Sequence, residues 1–229
     1  IDLDGNGKDN VMAGYAMLNP DGTIRWSLRD SGLPLGRGHL DCARVFRQGK
    51  TMKDFRIVVT LCGDEGIAML DGHGTVLWSI QGRHFESITL GRVRPDIPGK
   101  QIIVDIDHSP AGRAPLWVIG ENGELLGQIM TQYCRKHLAL DWDGSGVESI
   151  VIAQHRAMYD GSGTKIAAFD AFFNEAGQHF CAMGDMTGNE IPDLLLWNNP
   201  ARVVYIFKNE KGLKIPGIPL GTGKNFTLY

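Results

Sequence analysis

Short apolar runs follow polar, glycine-marked loops along the whole chain. Val11-Met12-Ala13 comes after Asp2-Leu3-Asp4-Gly5-Asn6-Gly7-Lys8-Asp9-Asn10, Ile150-Val151-Ile152 after a loop opening Asp141-Trp142-Asp143-Gly144-Ser145-Gly146, and Leu194-Leu195-Leu196 after one opening Asp185-Met186-Thr187-Gly188-Asn189. Two degenerate copies fill the interval. Arg44-Val45-Phe46 runs through Lys53-Asp54-Phe55 into Arg56-Ile57-Val58-Val59, and Arg92-Val93-Arg94-Pro95-Asp96 leads into Gln101-Ile102-Ile103-Val104. Taking residues 2, 44, 92, 141 and 185 as equivalent gives steps of 42, 48, 49 and 44. Self-similarity at roughly 40–50 residues is the length of one four-stranded propeller blade. Hairpin-type turns at Asp21-Gly22, Asp71-Gly72, Asn122-Gly123 and Asp160-Gly161 mark four of the five repeats a second time,. The pattern predicts an all-β chain: a β-propeller of four-stranded blades, about five of them visible, each reading strand A, polar loop, strand B, crossing, strand C, tight turn, strand D.

Composition fits one compact domain over residues 1–229. Hydrophobic residues make up 43% and charged residues 21%, and the 30 glycines are spread as turn punctuation instead of gathering in a linker,. No run predicts a helix of useful length, and none is apolar for long enough to cross a membrane. A net charge of −3 argues against a nucleic-acid partner,. Strand A of the first repeat is not visible before Ile1, so the expectation is a C-terminal part of a larger propeller whose remaining blades, with any export signal, lie upstream.

Cys42, Cys62, Cys134 and Cys181 show no C-x-x-C spacing, which argues against a zinc site of the usual kind,. Cys42 and Cys62 fall at the start of one strand and the end of its neighbour, where a disulfide is permitted and free thiols are equally compatible. Asn225-Phe226-Thr227 is a glycosylation sequon, meaningful only in a secreted eukaryotic product,.

Oxygen-bearing side chains at alternate positions, with glycines to bend the backbone, can wrap a hard cation. In the first loop the ligands would be Asp2, Asp4, Asn6, the carbonyl of Lys8 and Asn10. In the last they would be Asp185, Thr187, Asn189, the carbonyl of Ile191 and Asp193. The middle loop offers Asp141, Asp143, Ser145, the Val147 carbonyl and Ser149, with fewer carboxylates, so structural calcium is expected first at the outer two. The same residues also read as self-satisfied turns in which Asp and Asn accept from their own backbone. Arginines at positions 44, 92 and 94 exclude a metal from the degenerate copies.

Six of the seven histidines take comparable places in the repeat. His39, His84, His137 and His179 come just before a strand A, and His108 and His155 just after a strand B. In a propeller those connections emerge on one face, which would also receive Arg37, Arg83, Arg113, Arg135, Lys136 and Arg156, with Tyr15, Tyr133, Asp41, Asp64 and Asp107. Imidazoles for proton transfer beside guanidinium groups for oxyanions describe a site for an anionic substrate.

The Asp-x-Asp-Gly-x-Gly loops, Gly38-His39-Leu40-Asp41, Pro95-Asp96-Ile97-Pro98-Gly99 and the closing Gly221-Thr222-Gly223-Lys224-Asn225-Phe226-Thr227-Leu228-Tyr229 resemble the propeller polysaccharide lyases, the rhamnogalacturonan lyases and their relatives. The aspartate-rich loop is shared with non-catalytic repeat propellers of the integrin type. The resemblance implies seven or eight blades in the parent, a secreted or periplasmic location, and β-elimination on a uronate-containing polysaccharide. Arg135, with Arg37 or Arg83 as substitute, would neutralise the uronate carboxylate. His39, His84 and His137 would act as base or acid, with Tyr133 as proton donor and His108, His155, Arg156 and His179 binding substrate. A non-catalytic glycan- or protein-binding propeller stands as the alternative. A hydrolase would need a carboxylate pair, for which Asp41, Glu86 and Asp107 are the candidates.

Overall fold

The structure is a computed structural model that describes residues 1–36, 38–108, 115–130, 136–169, 178–198, 202–212 and 214. The chain is all-β, built from five successive antiparallel sheets in a β-propeller-like arrangement of blades. The first sheet holds β1 (Val11–Ala13), β2 (Ala16–Leu18) and β3 (Ile24–Ser27), and the second β4 (His39–Arg47), β5 (Arg56–Cys62), β6 (Gly66–Leu70) and β7 (Val76–Gln81). The third holds β8 (His84–Gly91), β9 (Gln101–Asp107), β10 (Leu116–Ile119) and β11 (Leu125–Ile129). The fourth holds β12 (His137–Leu140), β13 (Ser149–Ile152), β14 (Ala157–Tyr159) and β15 (Lys165–Ala168), and the fifth β16 (His179–Gly184), β17 (Asp193–Asn198) and β18 (Val203–Phe207). In every sheet the neighbours in space are neighbours in sequence. The Asp-Gly and Asn-Gly turns sit between the third and fourth strands of the four-stranded sheets and between β2 and β3 of the first. Helical structure among the described residues is confined to single 3-10 turns such as Leu28–Asp30, Met52–Asp54 and Ala153–His155, and no helix is long and apolar enough to cross a membrane.

Two compact units make up the chain: Ile1–Ile88 with Ile106–Ser109, and Thr89–Asp105 with Pro110–Tyr229. In the first unit Leu3, Tyr15, Met17 and Leu28 pack with Phe55, Ile57, Val59, Leu61, Ala68 and Leu70. Because side chains alternate across a strand, committing Ile57, Val59 and Leu61 of β5 to that core leaves Val58, Thr60 and Cys62 on the opposite face. In the second unit the first three strands of the fourth sheet, β12, β13 and β14, are buried on both faces. Ala139, Ile150, Ile152, Ala157 and Tyr159 join one cluster, while Leu138, Leu140, Val151 and Met158 join another with Leu194 and Leu196. That is why Ile150-Val151-Ile152 reads as an unbroken apolar run, and each such side chain withdrawn from water contributes roughly 1.5–3 kcal/mol.

One sequence expectation changes. Arg44 lies inside β4, so the polar loop of the second repeat opens at Gln48. The cause is the irregularity of β4, whose register against β5 shifts between Leu40 and Cys42 and again between Val45 and Arg47, lengthening the strand,. Of the two states left open for Cys42 and Cys62, the structure shows thiols not bridged by a disulfide. The first of these shifts sets Thr60 opposite Cys42 and puts His39 opposite Cys62.

Candidate functional site

His39, His84, His137 and His179 are the first residues of β4, β8, β12 and β16, and His108 and His155 follow β9 and β13. Their surroundings differ sharply. Arg37, Tyr133 and Arg135 lie outside the described residues.

The first unit gathers the chemistry. His39 opens β4 with its side chain 70% exposed, and its Nε2 stands 2.8 Å from Oδ1 of Asp41, two residues on and therefore on the same face of the strand,. His84 and Glu86 share a face of β8 for the same reason, with Nε2 to Oε1 at 3.0 Å. Across the sheets the same His84 Nε2 lies 3.0 Å from Sγ of Cys62 at the end of β5. Thr60, on Cys62's face of β5, donates its hydroxyl to the Glu86 carbonyl at 2.7 Å and so fixes β8 against β5. The His108 ring meets His84 edge to face at 4.6 Å between centroids. His108 sits in the left-handed region at φ 49°, held there as its N–H donates to Asp107 Oδ1 at 2.7 Å. Arg83 lies in the turn that leads into β8, its N–H donating to the Glu65 carbonyl at 3.2 Å.

The approach to β4 is fixed by Asp64. The Tyr15 hydroxyl donates to one of its oxygens in a short hydrogen bond, and the Gly36 N–H donates to the other at 2.8 Å. Burial pushes the Asp64 carboxyl up, but the Tyr15 hydroxyl, the N–H groups of Gly36 and Gly38 and the Arg29 guanidinium outweigh it and hold it below the ordinary carboxylate value. The Tyr15 hydroxyl is driven well up, first by burial and then by that same hydrogen bond. A Cβ on Gly38 would lie 2.4 Å from the Cys62 carbonyl oxygen and 2.8 Å from the Asp64 carboxylate, so only glycine lets the chain pass here on its way to His39,.

In the second unit the equivalent histidines are built into the sheets. His137 is buried, pairs in register with Ile152, and its Nε2 lies 3.3 Å from the Ile103 carbonyl oxygen. His179 is buried opposite Asn198, and its N–H donates to Oε1 of Gln154 at 3.0 Å. His155 is half-buried with Nδ1 2.7 Å from the Tyr159 hydroxyl, and burial, with Lys165 nearby, pulls its pKa below the usual imidazole value. Arg156 closes that turn in the left-handed region, its N–H donating to the Ala153 carbonyl.

The aspartate-rich loops fold around their carboxylates. Asp2 accepts from the N–H groups of Gly7 (2.7 Å) and Asn6 (3.2 Å), Asn6 accepts from Lys8 (2.9 Å), and buried Asn10 accepts from Leu3 (3.1 Å). Asp4 is gripped by Arg25 through two bonds of 2.6 and 2.7 Å, which lowers its pKa. Asp141 accepts from Gly144 and Gly146, and Asp143 from Ser145. Asp185 accepts from Gly188, Asn189 and Glu190 at 2.7–3.1 Å, and these N–H groups outweigh burial to depress its pKa. Asp193 accepts from Asn209, Met186 and the Thr187 hydroxyl, while Asn189 accepts from Ile191. A cleft of about 580 Å³ in the second unit borders the middle loop at Asp143 and Ser145 and includes Glu148, whose carboxyl is pushed up by burial; none of the candidate histidines lines it.

Sequence reasoning placed Asp41, Glu86 and Asp107 near the histidines but missed Cys62, which reaches His84 only through the pairing of separate strands. The readable signal was its place at the end of a strand B, beside an A strand that begins with histidine.

A β-propeller-like fold with a histidine and carboxylate cluster in its first unit is the class these features define. No family model matches the sequence, and no curated protein does. Among solved structures, the chain is similar in fold to the exotype rhamnogalacturonan lyase YesX (12% identity, TM-score 0.56, covering 90% of this chain and 46% of that one). It is similar also to the rhamnogalacturonan lyase YesW (15%, 0.54, 91% and 34%) and to the V. cholerae biofilm matrix protein Bap1 (10%, 0.60, 91% and 62%). The chain thus spans less than half the length of either lyase.

Proposed function

We propose that this chain acts on an acidic, uronate-containing polysaccharide, and that the first unit carries the proton-transfer step of a β-elimination. The observation that carries the reading is the His39–Asp41 pair: an exposed imidazole whose Nε2 faces a carboxylate at 2.8 Å. A carboxylate partner orients the ring and favours the proton on Nε2, leaving the Nδ1 lone pair as the base. In the reaction that nitrogen takes the proton from C5, the C–H electrons form the C4–C5 double bond, and the C4–O bond breaks as the leaving oxygen takes a proton from water. Arg83, in the same unit, is the described candidate for countering the uronate charge; Arg37 and Arg135 lie outside the described residues. The likeness in fold to two rhamnogalacturonan lyases supports the substrate class, and an extracellular or periplasmic location follows from such a substrate.

Calcium is proposed as a structural ion of the loop at Asp185, whose donors Asp185, Thr187, Asn189 and Asp193 are all oxygens. The loop at Asp2 fits less well, because Arg25 already occupies both oxygens of Asp4.

A second reading, glycan binding without cleavage, is favoured by the burial of His137 and His179, which withdraws two imidazoles from any reacting centre. Incubating the full chain with a panel of uronate polysaccharides separates the two. Absorbance of an unsaturated product supports the lyase, whereas binding with no such product on any polymer leaves the binding module.

A further inference from the structure

We propose that Asp41, Cys62, His84 and Glu86 form a binding site for a divalent transition-metal ion of the zinc type. The site shares Asp41 with the polysaccharide reading, and its argument does not rest on that reading. Each residue offers one ligand atom, and all four atoms lie within 4.8 Å of one another. They come from three strands, β4, β5 and β8, so the grouping is a product of the fold. A tetrahedral zinc ion with Zn–S near 2.3 Å and Zn–N and Zn–O near 2.0–2.1 Å holds its ligands roughly 3.3–3.7 Å apart. The two measured spacings, Cys62 Sγ to His84 Nε2 and His84 Nε2 to Glu86 Oε1, are both 3.0 Å, so these two pairs need to open by only a few tenths of an ångström,.

Proton counting points the same way. His84 Nε2 faces a thiol and a carboxylate at once. As a lone pair it serves the thiol and opposes the carboxylate; as an N–H it is shared between the Glu86 oxygen and the weakly accepting sulfur. A cation at the shared point engages the lone pairs of all three. Charge is compatible with this: Asp41 and Glu86 are two carboxylates with a thiol between, half-buried or buried, and a cation among them would draw all three together,. The donor set decides which ion. One sulfur, one imidazole nitrogen and two carboxylate oxygens suit zinc and its neighbours, whereas calcium and magnesium demand oxygen alone. Outer groups are in place as well. Asp41 Oδ1 is oriented by His39 at 2.8 Å, and a potential ligand atom of His108 lies within 4.8 Å of one from Glu86,.

Cobalt(II) serves as the probe because a thiolate ligand gives it a charge-transfer band in the near ultraviolet besides its visible bands. Titrating cobalt into chelator-treated full chain should give both bands at about one equivalent, with zinc displacing them. Cys62→Ala should lose the charge-transfer band, and Cys42→Ala should keep it. Should Cys62→Ala fail to fold, Asp41→Asn at the half-buried edge of the site provides the decision, with an expected loss of cobalt affinity of about tenfold or more. Absence of a stoichiometric thiolate band, its persistence in a folded Cys62→Ala protein, or unchanged affinity in Asp41→Asn would each overturn the site.

Discussion

The histidine that opens β4 and the histidine that opens β12 occupy the same place in two repeats and have opposite fates. His39 is exposed, faces a carboxylate at 2.8 Å and borders the group of Cys62, His84 and Glu86. His137 is buried with its ring nitrogen on the Ile103 carbonyl. Position in the repeat therefore does not assign a role to an imidazole. The residues two places along the strand and across the ladder do. Asp41 and Cys62 surround His39 with polar partners, whereas Ala139 and Ile152 enclose His137 among strands buried on both faces.

The comparison breaks most visibly if activity is lost at the wrong histidine. His39→Ala should lower turnover of a uronate polysaccharide by about 10²-fold or more, as for loss of a general base, and leave the melting temperature nearly unchanged because the side chain is exposed. Initial rates of unsaturated-product formation measure it, and full turnover in the variant removes His39 from the mechanism. His137→Ala should behave in reverse. Truncation leaves the buried Ile103 carbonyl short of its partner and opens space in the core, at a cost of about 1–3 kcal/mol in urea unfolding, with turnover per folded molecule retained.

Two smaller effects sharpen the contrast between structural and chemical groups. If the Asp185 loop holds calcium, a chelator should lower the melting temperature by an amount that vanishes in Asp185→Ala; an ion present at about 100 times its dissociation constant stabilises by about 2.7 kcal/mol. An undiminished chelator effect in the variant would count against that loop. The smallest effect is at His155. Its folded pKa lies below the 6.5 of the free side chain, because burial and Lys165 disfavour the charged ring. The folded state then binds fewer protons than the unfolded one, so the contribution to stability is intact above about pH 6.5 and declines as pH falls below it toward the depressed value. His155→Gln should therefore reduce the drop in melting temperature between pH 7.5 and pH 5.5, roughly the range over which imidazole titrates. A slope equal to the wild type's would assign that pH dependence to other groups.

The strands were legible because burial is written in alternation and in apolar runs. Ile150-Val151-Ile152 predicts β13, and the Asp-Gly and Asn-Gly turns mark the last hairpin of most sheets. The loop of the second repeat was misplaced by four residues, since nothing local in Leu40–Arg47 announces the two register shifts of β4. At the site, contacts within one strand could be read: His39 with Asp41, and His84 with Glu86, are two apart and share a face. Cys62 could not. It meets His84 only because β5 spends its other face on Ile57, Val59 and Leu61, a choice made by packing and not by spacing. Burial of His137 and His179 was hidden for the same reason, since their partners Ile103, Ile152 and Asn198 come from other strands.

The central claim, that ligand chemistry belongs to the histidines of the first unit, is tested most directly by following the imidazole resonances of the full chain in NMR while a uronate oligosaccharide is titrated in, with each signal assigned by single substitution. The account predicts saturable shifts of the His39, His84 and His108 signals, with those of His137, His155 and His179 unmoved. Shifts confined to His137, His155 and His179 would contradict it.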